Sequence, residues 1–157
     1  MRRKALLVNT VTRRLAIGLT VVTLLFTGPT QGERMVMRAL EQLEKPYVFG
    51  ATGPDKFDCS GLVLYAAARE GIGALPHAAR ELYTLGRPVP AWNLLPGDML
   101  CFDTVRDSDP SDHVGFYMGG NMFVHASSSK HKVVVSPFEG YYREKYTGAR
   151  RLGCAYI

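Results

Sequence analysis

The chain has 157 residues, of which 46% are hydrophobic, 21% charged and 10% aromatic. That length and apolar share suit one compact domain and exclude disordered, collagen-like and coiled-coil compositions. The formal charge of +5 is local: Arg2, Arg3, Lys4, Arg13 and Arg14 precede the first acid, Glu33, and without these five the chain carries 14 basic and 14 acidic residues. A neutral remainder offers no basic face to nucleic acid, which is set aside as a partner.

Residues 1–32 read as a leader. A basic, acid-free start is followed by the apolar run Leu15–Phe26 and the helix-breaking stretch Thr27-Gly28-Pro29-Thr30-Gln31-Gly32, the order of a secretory signal. The run is short for a membrane span, and no Ala-x-Ala site follows. Cleavage and retention as an N-terminal membrane anchor therefore both stay open. Export to the periplasm or cell envelope is the expected location, and the domain proper is placed at 33–157.

Apolar spacing predicts helices over Glu33–Leu43, Ser60–Glu70 and Pro76–Leu85, with a loop at Gly50–Lys56. Pro96-Gly97-Asp98 opens a strand at Met99–Phe102, and the polar loop Asp103–Asp112 follows. His113–Met118 and Met122–Ala126 flank Gly119-Gly120-Asn121 and predict a hairpin, with further strands at Val133–Ser136 and Ala149–Leu152. Helices followed by an antiparallel meander predict an α+β fold.

Chemistry concentrates at three residues. Asp58 is a good N-cap, which puts Cys59 in the first helical turn, where the dipole and free N–H groups favour a thiolate and an oxyanion. An inert packed cysteine is the other reading of Cys59 alone. His113 and His125 are equidistant in sequence from Gly119, so the hairpin is expected to bring them nearly opposite each other. On one face, His113 would take the thiol proton and His125 would orient its ring. Asp107, Asp109 and Asp112 read as solvated loop acids, and Asp112, adjoining His113, would raise its pKa. His77 and His131 read as exposed, with His77 the better placed to line a cleft. No Cys-x-x-Cys or His-x3-His pair is present, so neither a metal nor another cofactor is expected. Cys101 reads as packed in its strand, and a Cys101–Cys154 disulfide stays open in an exported chain.

Pro46-Tyr47-Val48-Phe49-Gly50, Phe57-Asp58-Cys59-Ser60-Gly61-Leu62-Val63, Leu95-Pro96-Gly97-Asp98, His113-Val114-Gly115-Phe116-Tyr117 and Phe123-Val124-His125-Ala126 resemble, in order, the motifs of NlpC/P60 cysteine peptidases. The resemblance implies a papain-like α+β fold, with the nucleophile at a helix N-terminus packed on an antiparallel sheet. It implies hydrolysis of peptidoglycan stem peptides, typically between γ-D-glutamate and a diamino acid. By position, Cys59 matches the nucleophile, His113 the base and His125 the third polar residue. Tyr47 matches the tyrosine over the nucleophile that assists the oxyanion, and Asp58 and Ser60 match positions that hold the substrate's free amine. Ala51 stands where a second glycine is usual, and His77, Ala79 and Leu82 depart from the residues common along the cleft. Those departures support an alternative, a catalytically silent binding or scaffold module of the cell envelope. The oligomeric state is not legible.

Overall fold

The computed structural model describes residues 28–105 and 109–153. Its elements in chain order are α1 (Gln31–Leu40), α2 (Cys59–Arg69), a single turn α3 (Ala79–Leu82), β1 (Arg87–Val89), a 3-10 turn (Ala91–Asn93), β2 (Met99–Phe102), β3 (His113–Gly119), β4 (Met122–Ser127), β5 (Lys132–Pro137), α4 (Gly140–Lys145) and β6 (Tyr146–Arg151). The strands form one sheet in the order β1-β6-β2-β3-β4-β5, with antiparallel neighbours throughout.

α1 begins at Gln31, inside the stretch assigned to the leader, because Thr30 and Glu33 close a reciprocal cap: Glu33 N–H donates to Thr30 Oγ1 (3.2 Å) and Thr30 N–H to Glu33 Oε2 (2.7 Å). It ends at Leu40, three residues short of the expected end, and the chain then turns through Glu44, whose φ is +68°. The expected leader otherwise lies outside the described residues. Among those residues no helix is long and apolar enough to cross a membrane.

Strand alternation sorts the core into two layers. Met99 and Cys101 of β2, Val114 and Phe116 of β3, and Val124 and Ala126 of β4 pack with Met35, Val36 and Ala39 of α1 and Leu62, Val63 and Ala66 of α2. The residues between them, Leu100, Phe102 and Phe123, point to the other face and meet Val89, Phe138 and Ala149. Each large side chain buried this way contributes about 2 kcal/mol. β2 lies inside the sheet and is buried at all four positions, so its sequence is continuously apolar, without the polar alternation of a half-exposed strand.

The third expected helix shrinks to Ala79–Leu82, because Ala78 provides no side-chain cap and only Leu82 is buried. Two elements carry no sequence signal of the expected kind. β1 is an edge strand of three residues containing Pro88, and α4 starts at a glycine and buries no residue.

Candidate active site

Cys59 is the first residue of α2, and Asp58 is its N-cap. Asp58 Oδ1 accepts from Gly61 N–H at 2.6 Å and Oδ2 accepts from Gly50 N–H at 2.8 Å, so one carboxylate ties the helix start to the loop before it. Gly61 permits that closeness, since a Cβ there would collide with the Ala51 carbonyl oxygen. Ala51 O also accepts from Asp58 N–H at 2.8 Å.

The thiol does not take the state expected from its helix seat. Cys59 is only 8% exposed, and burial, then the Asp58 charge, pushes its pKa up to about 11. Backbone amides of Val114, Ser60 and Cys59 act in the opposite direction and are outweighed. Sγ lies 3.9 Å from the Asp112 carbonyl oxygen, so the sulfur meets the chain where β3 begins, beside His113. The resting group is therefore a neutral thiol turned toward a carbonyl.

His113 and His125 are brought together, though diagonally. The β3–β4 register pairs Phe116 with Val124 and Tyr117 with Phe123, which, continued, sets His125 across from Gly115 and His113 two residues further along the same face. His113 Nε2 lies 2.8 Å from His125 Nδ1, and the ring planes cross at 84°. His125 is fully buried and stacked on Phe123, with centroids 4.5 Å apart. Its Nε2 sits 3.0 Å from Ser136 Oγ and 3.5 Å from the Tyr142 hydroxyl.

Burial pushes the His113 pKa down to about 4 and that of His125 to about 2, where the His113 charge adds to the effect. Asp112 does pull His113 upward, as its position implies, but burial outweighs it. Nor is Asp112 simply solvated: Oδ1 accepts from Thr104 N–H (2.8 Å) and Oδ2 from Val105 N–H (2.6 Å). Those two contacts tie Thr104 and Val105 to the residue before His113.

In front of the sulfur is a cleft of about 330 Å³ lined by Tyr47, Asp58, Ser60, His77 and Asp112 among others. Tyr47 shares this cleft with Cys59 and Asp58, and its phenol is pushed above its usual range by burial first and then by negative charge at those two positions. Ser60 is buried, its hydroxyl 3.0 Å from Asp58 Oδ1 and 2.8 Å from the His77 carbonyl oxygen. His77 is exposed, as expected, and its Nε2 reaches Asp58 at 3.1 Å. Arg80 of α3 and the 88% exposed Phe49 complete the walls.

His131 is exposed in the β4–β5 turn, where its carbonyl accepts from Tyr47 N–H at 2.9 Å, and it does not line this cleft. Asp109 faces Arg80 at 3.4 Å, and Asp107 lies outside the described residues. Cys101 is buried with its thiol pushed up to about 12, and Cys154 lies outside the described residues, as does the disulfide left open for it. Among the described residues no three His, Cys, Asp or Glu side chains gather as metal ligands would.

Ser136 and Tyr142 are site residues that the sequence did not single out. The one legible signal was a serine closing the apolar run Val133-Val134-Val135. Tyr142 belongs to the helix that carried no periodic signal.

The site thus sets a thiol at a helix start against the beginning of β3, whose His113 is linked to His125 of β4. The NlpC/P60 family model matches residues 44–151, and the chain belongs to the NlpC/P60 family. A probable endopeptidase of Mycobacterium tuberculosis is 43% identical over 105 residues, covering 67% of this chain and 26% of that protein. The probable endopeptidase YafL of Escherichia coli is 37% identical over 124 residues (76% and 49%), and the gamma-DL-glutamyl hydrolase of Bacillus subtilis is 36% identical over 119 residues (74% and 28%). The chain thus spans between a quarter and a half of the length of these relatives. Among solved structures, the peptidoglycan hydrolase RipB of Mycobacterium tuberculosis superposes with a TM-score of 0.66 at 30% identity, covering 77% of this chain and 64% of that one. An NlpC/P60 family protein from Bacillus cereus gives 0.72 at 26% identity (80% and 41%).

Proposed function

We propose that the protein is a cysteine peptidase of the cell envelope that hydrolyses peptidoglycan stem peptides, at the bond between γ-D-glutamate and the diamino acid. The supporting observation is the open cleft in front of Cys59, whose sulfur lies against the start of the strand carrying the linked His113–His125 pair. Relatives named probable endopeptidase and Murein DD-endopeptidase support a peptidoglycan peptidase, and the one named gamma-DL-glutamyl hydrolase supports the γ-glutamyl bond.

In the proposed mechanism the thiol turns from the Asp112 carbonyl toward His113, whose neutral ring accepts the S–H proton as sulfur bonds to the substrate carbonyl carbon. Tyr47 and the α2 N-terminal amides stabilise the resulting oxyanion. The C–N bond then breaks, and the His113 proton goes to the leaving amine. Water attacks the thioester, gives a proton to His113, and the C–S bond breaks. That proton returns to sulfur as the carboxylic product leaves. His125 orients His113, while Asp58, with Ser60 and His77 beside it, presents negative charge to the substrate's free amine. The apolar segment Leu15–Phe26 directs the chain to the envelope and contacts the membrane if retained.

Mass spectrometry of the fragments released from purified muropeptides tests this reading. New termini at γ-D-glutamate and the diamino acid, absent with Cys59→Ala, are expected. Cleavage only between D-alanine and the diamino acid would overturn the bond assignment, and equal yields from Cys59→Ala would overturn the mechanism.

A further inference from the structure

A neutral imidazole carries one N–H and one lone pair, so the 2.8 Å contact between His113 Nε2 and His125 Nδ1 can run in either sense. The two senses are chemically different. If His125 holds its proton on Nδ1, it donates to His113 Nε2, and the His113 proton then sits on Nδ1, leaving no lone pair for the thiol. If His125 holds its proton on Nε2, its Nδ1 accepts from His113 Nε2–H, and His113 Nδ1 is left with the lone pair that proton transfer from Cys59 requires. The competent sense needs a group on the far side of His125 that receives its Nε2–H, since a buried N–H left unpaired costs more than an unpaired lone pair.

Ser136 Oγ stands there at 3.0 Å, on β5, which pairs with β4 in a register that puts Ser136 across from Phe123 and diagonal to His125. The hydroxyl of Tyr142, at 3.5 Å from the same nitrogen, is the more distant neighbour. His125 is fully buried beneath Phe123 and Tyr142, so an N–H pointing that way has no solvent to turn to.

Resting on the peptidase reading above, we propose that Ser136 is a positioning residue: by accepting the Nε2–H of His125 it makes available the tautomer in which His113 is able to take the proton of Cys59. Without this acceptor, the competent tautomer leaves a buried N–H unpaired, and the ring pair favours the other sense. Ser136 touches neither substrate nor sulfur and acts through two rings in series.

The test combines kinetics on a stem tripeptide with nitrogen-15 spectra of the imidazoles. Ser136→Ala is expected to lower kcat roughly ten- to hundredfold, the weight of one unsatisfied buried group, while leaving KM within twofold. Ser136→Thr, which keeps the hydroxyl and suits a strand, is expected to restore most of kcat, and Tyr142→Phe to cost less than Ser136→Ala. In the unaltered protein His125 is expected to be protonated on Nε2. Protonation on Nδ1, or a kcat for Ser136→Ala within twofold of the starting enzyme, would overturn the inference. If Cys59→Ala turned over substrate as fast as the starting enzyme, the peptidase mechanism would fall, and the nitrogen spectra alone would decide for or against Ser136.

Discussion

A Cβ on Gly115 would stand 2.8 Å from the Cβ of His125 and 2.8 Å from the Val124 carbonyl oxygen. The absence of a side chain at Gly115 makes room for the His125 ring to lie over Phe123 and reach His113. Neither neighbour is the flexible end of a side chain, so β3 and β4 would have to part to admit a methyl group. We expect Gly115→Ala to destabilise the fold by about 1–3 kcal/mol and to lower activity further than its stability loss explains. Thermal unfolding and kcat on the same preparation check this. An enzyme with unchanged melting temperature and turnover would contradict it.

The thiol pKa of about 11 reverses the expectation drawn from the helix start and sets the reactivity of the free enzyme. Labelling by iodoacetamide should be slow at pH 6–8 and climb with pH toward 11, because the thiolate is the reacting form. Asp58 is the second cause of the rise, so Asp58→Asn should move the labelling curve to lower pH. A curve for Asp58→Asn lying on or above that of the unaltered protein in pH would contradict this assignment.

Much of the site was legible because it depends on local rules. Asp58 before Cys59 is a cap signal, and β2, β3 and β4 follow from apolar patterning around glycine turns. The rest depends on distance in space. A dipole argument at Cys59 omits the burial that α2 acquires only when it packs on the sheet, and the Asp58 charge that caps the helix also opposes the thiolate. Midpoint arithmetic centres the hairpin on Gly119 and puts His113 and His125 opposite each other, but the pairs Phe116–Val124 and Tyr117–Phe123 centre it on Gly120, so the two histidines are diagonal. Ser136 and Tyr142 approach His125 from β5 and α4, elements whose relation to it only the fold defines.

The two histidines should also make stability depend on pH. Above about pH 6.5, their ordinary value, both rings are neutral folded and unfolded and contribute no pH dependence. Below it the unfolded chain takes up protons that the folded rings refuse, His113 until about pH 4 and His125 lower still, so stability falls as pH falls. The slope for His125 is at most about 1.4 kcal/mol per pH unit. Urea unfolding between pH 6.5 and 4 should give a shallower loss for His125→Gln than for the unaltered protein. Parallel curves would contradict the buried neutral state.

Asp98 supports the sheet at a distance from this chemistry. It is 1% exposed, and its oxygens accept from Arg151 Nε (2.6 Å), Arg151 Nη2 (2.7 Å) and Leu95 N–H (2.8 Å). Asp98→Ala leaves a half-buried guanidinium without its partner and should cost about 3 kcal/mol. Because Asp98 lines a different surface from the Cys59 cleft, turnover per folded molecule should stay within twofold. Denaturant titration with active-site normalisation separates the two effects, and a large kcat loss with unchanged stability would contradict this division.

The central claim, that sulfur and imidazole act as one unit on a stem peptide, is tested most directly by turnover of a γ-D-glutamyl–diamino acid tripeptide. Members of such a unit are strongly non-additive. Cys59→Ala and His113→Ala should each lose about a thousandfold or more in kcat, and the double variant should lose little beyond either one. A variant at either position that keeps turnover within tenfold of the unaltered enzyme, while folding normally, would contradict it.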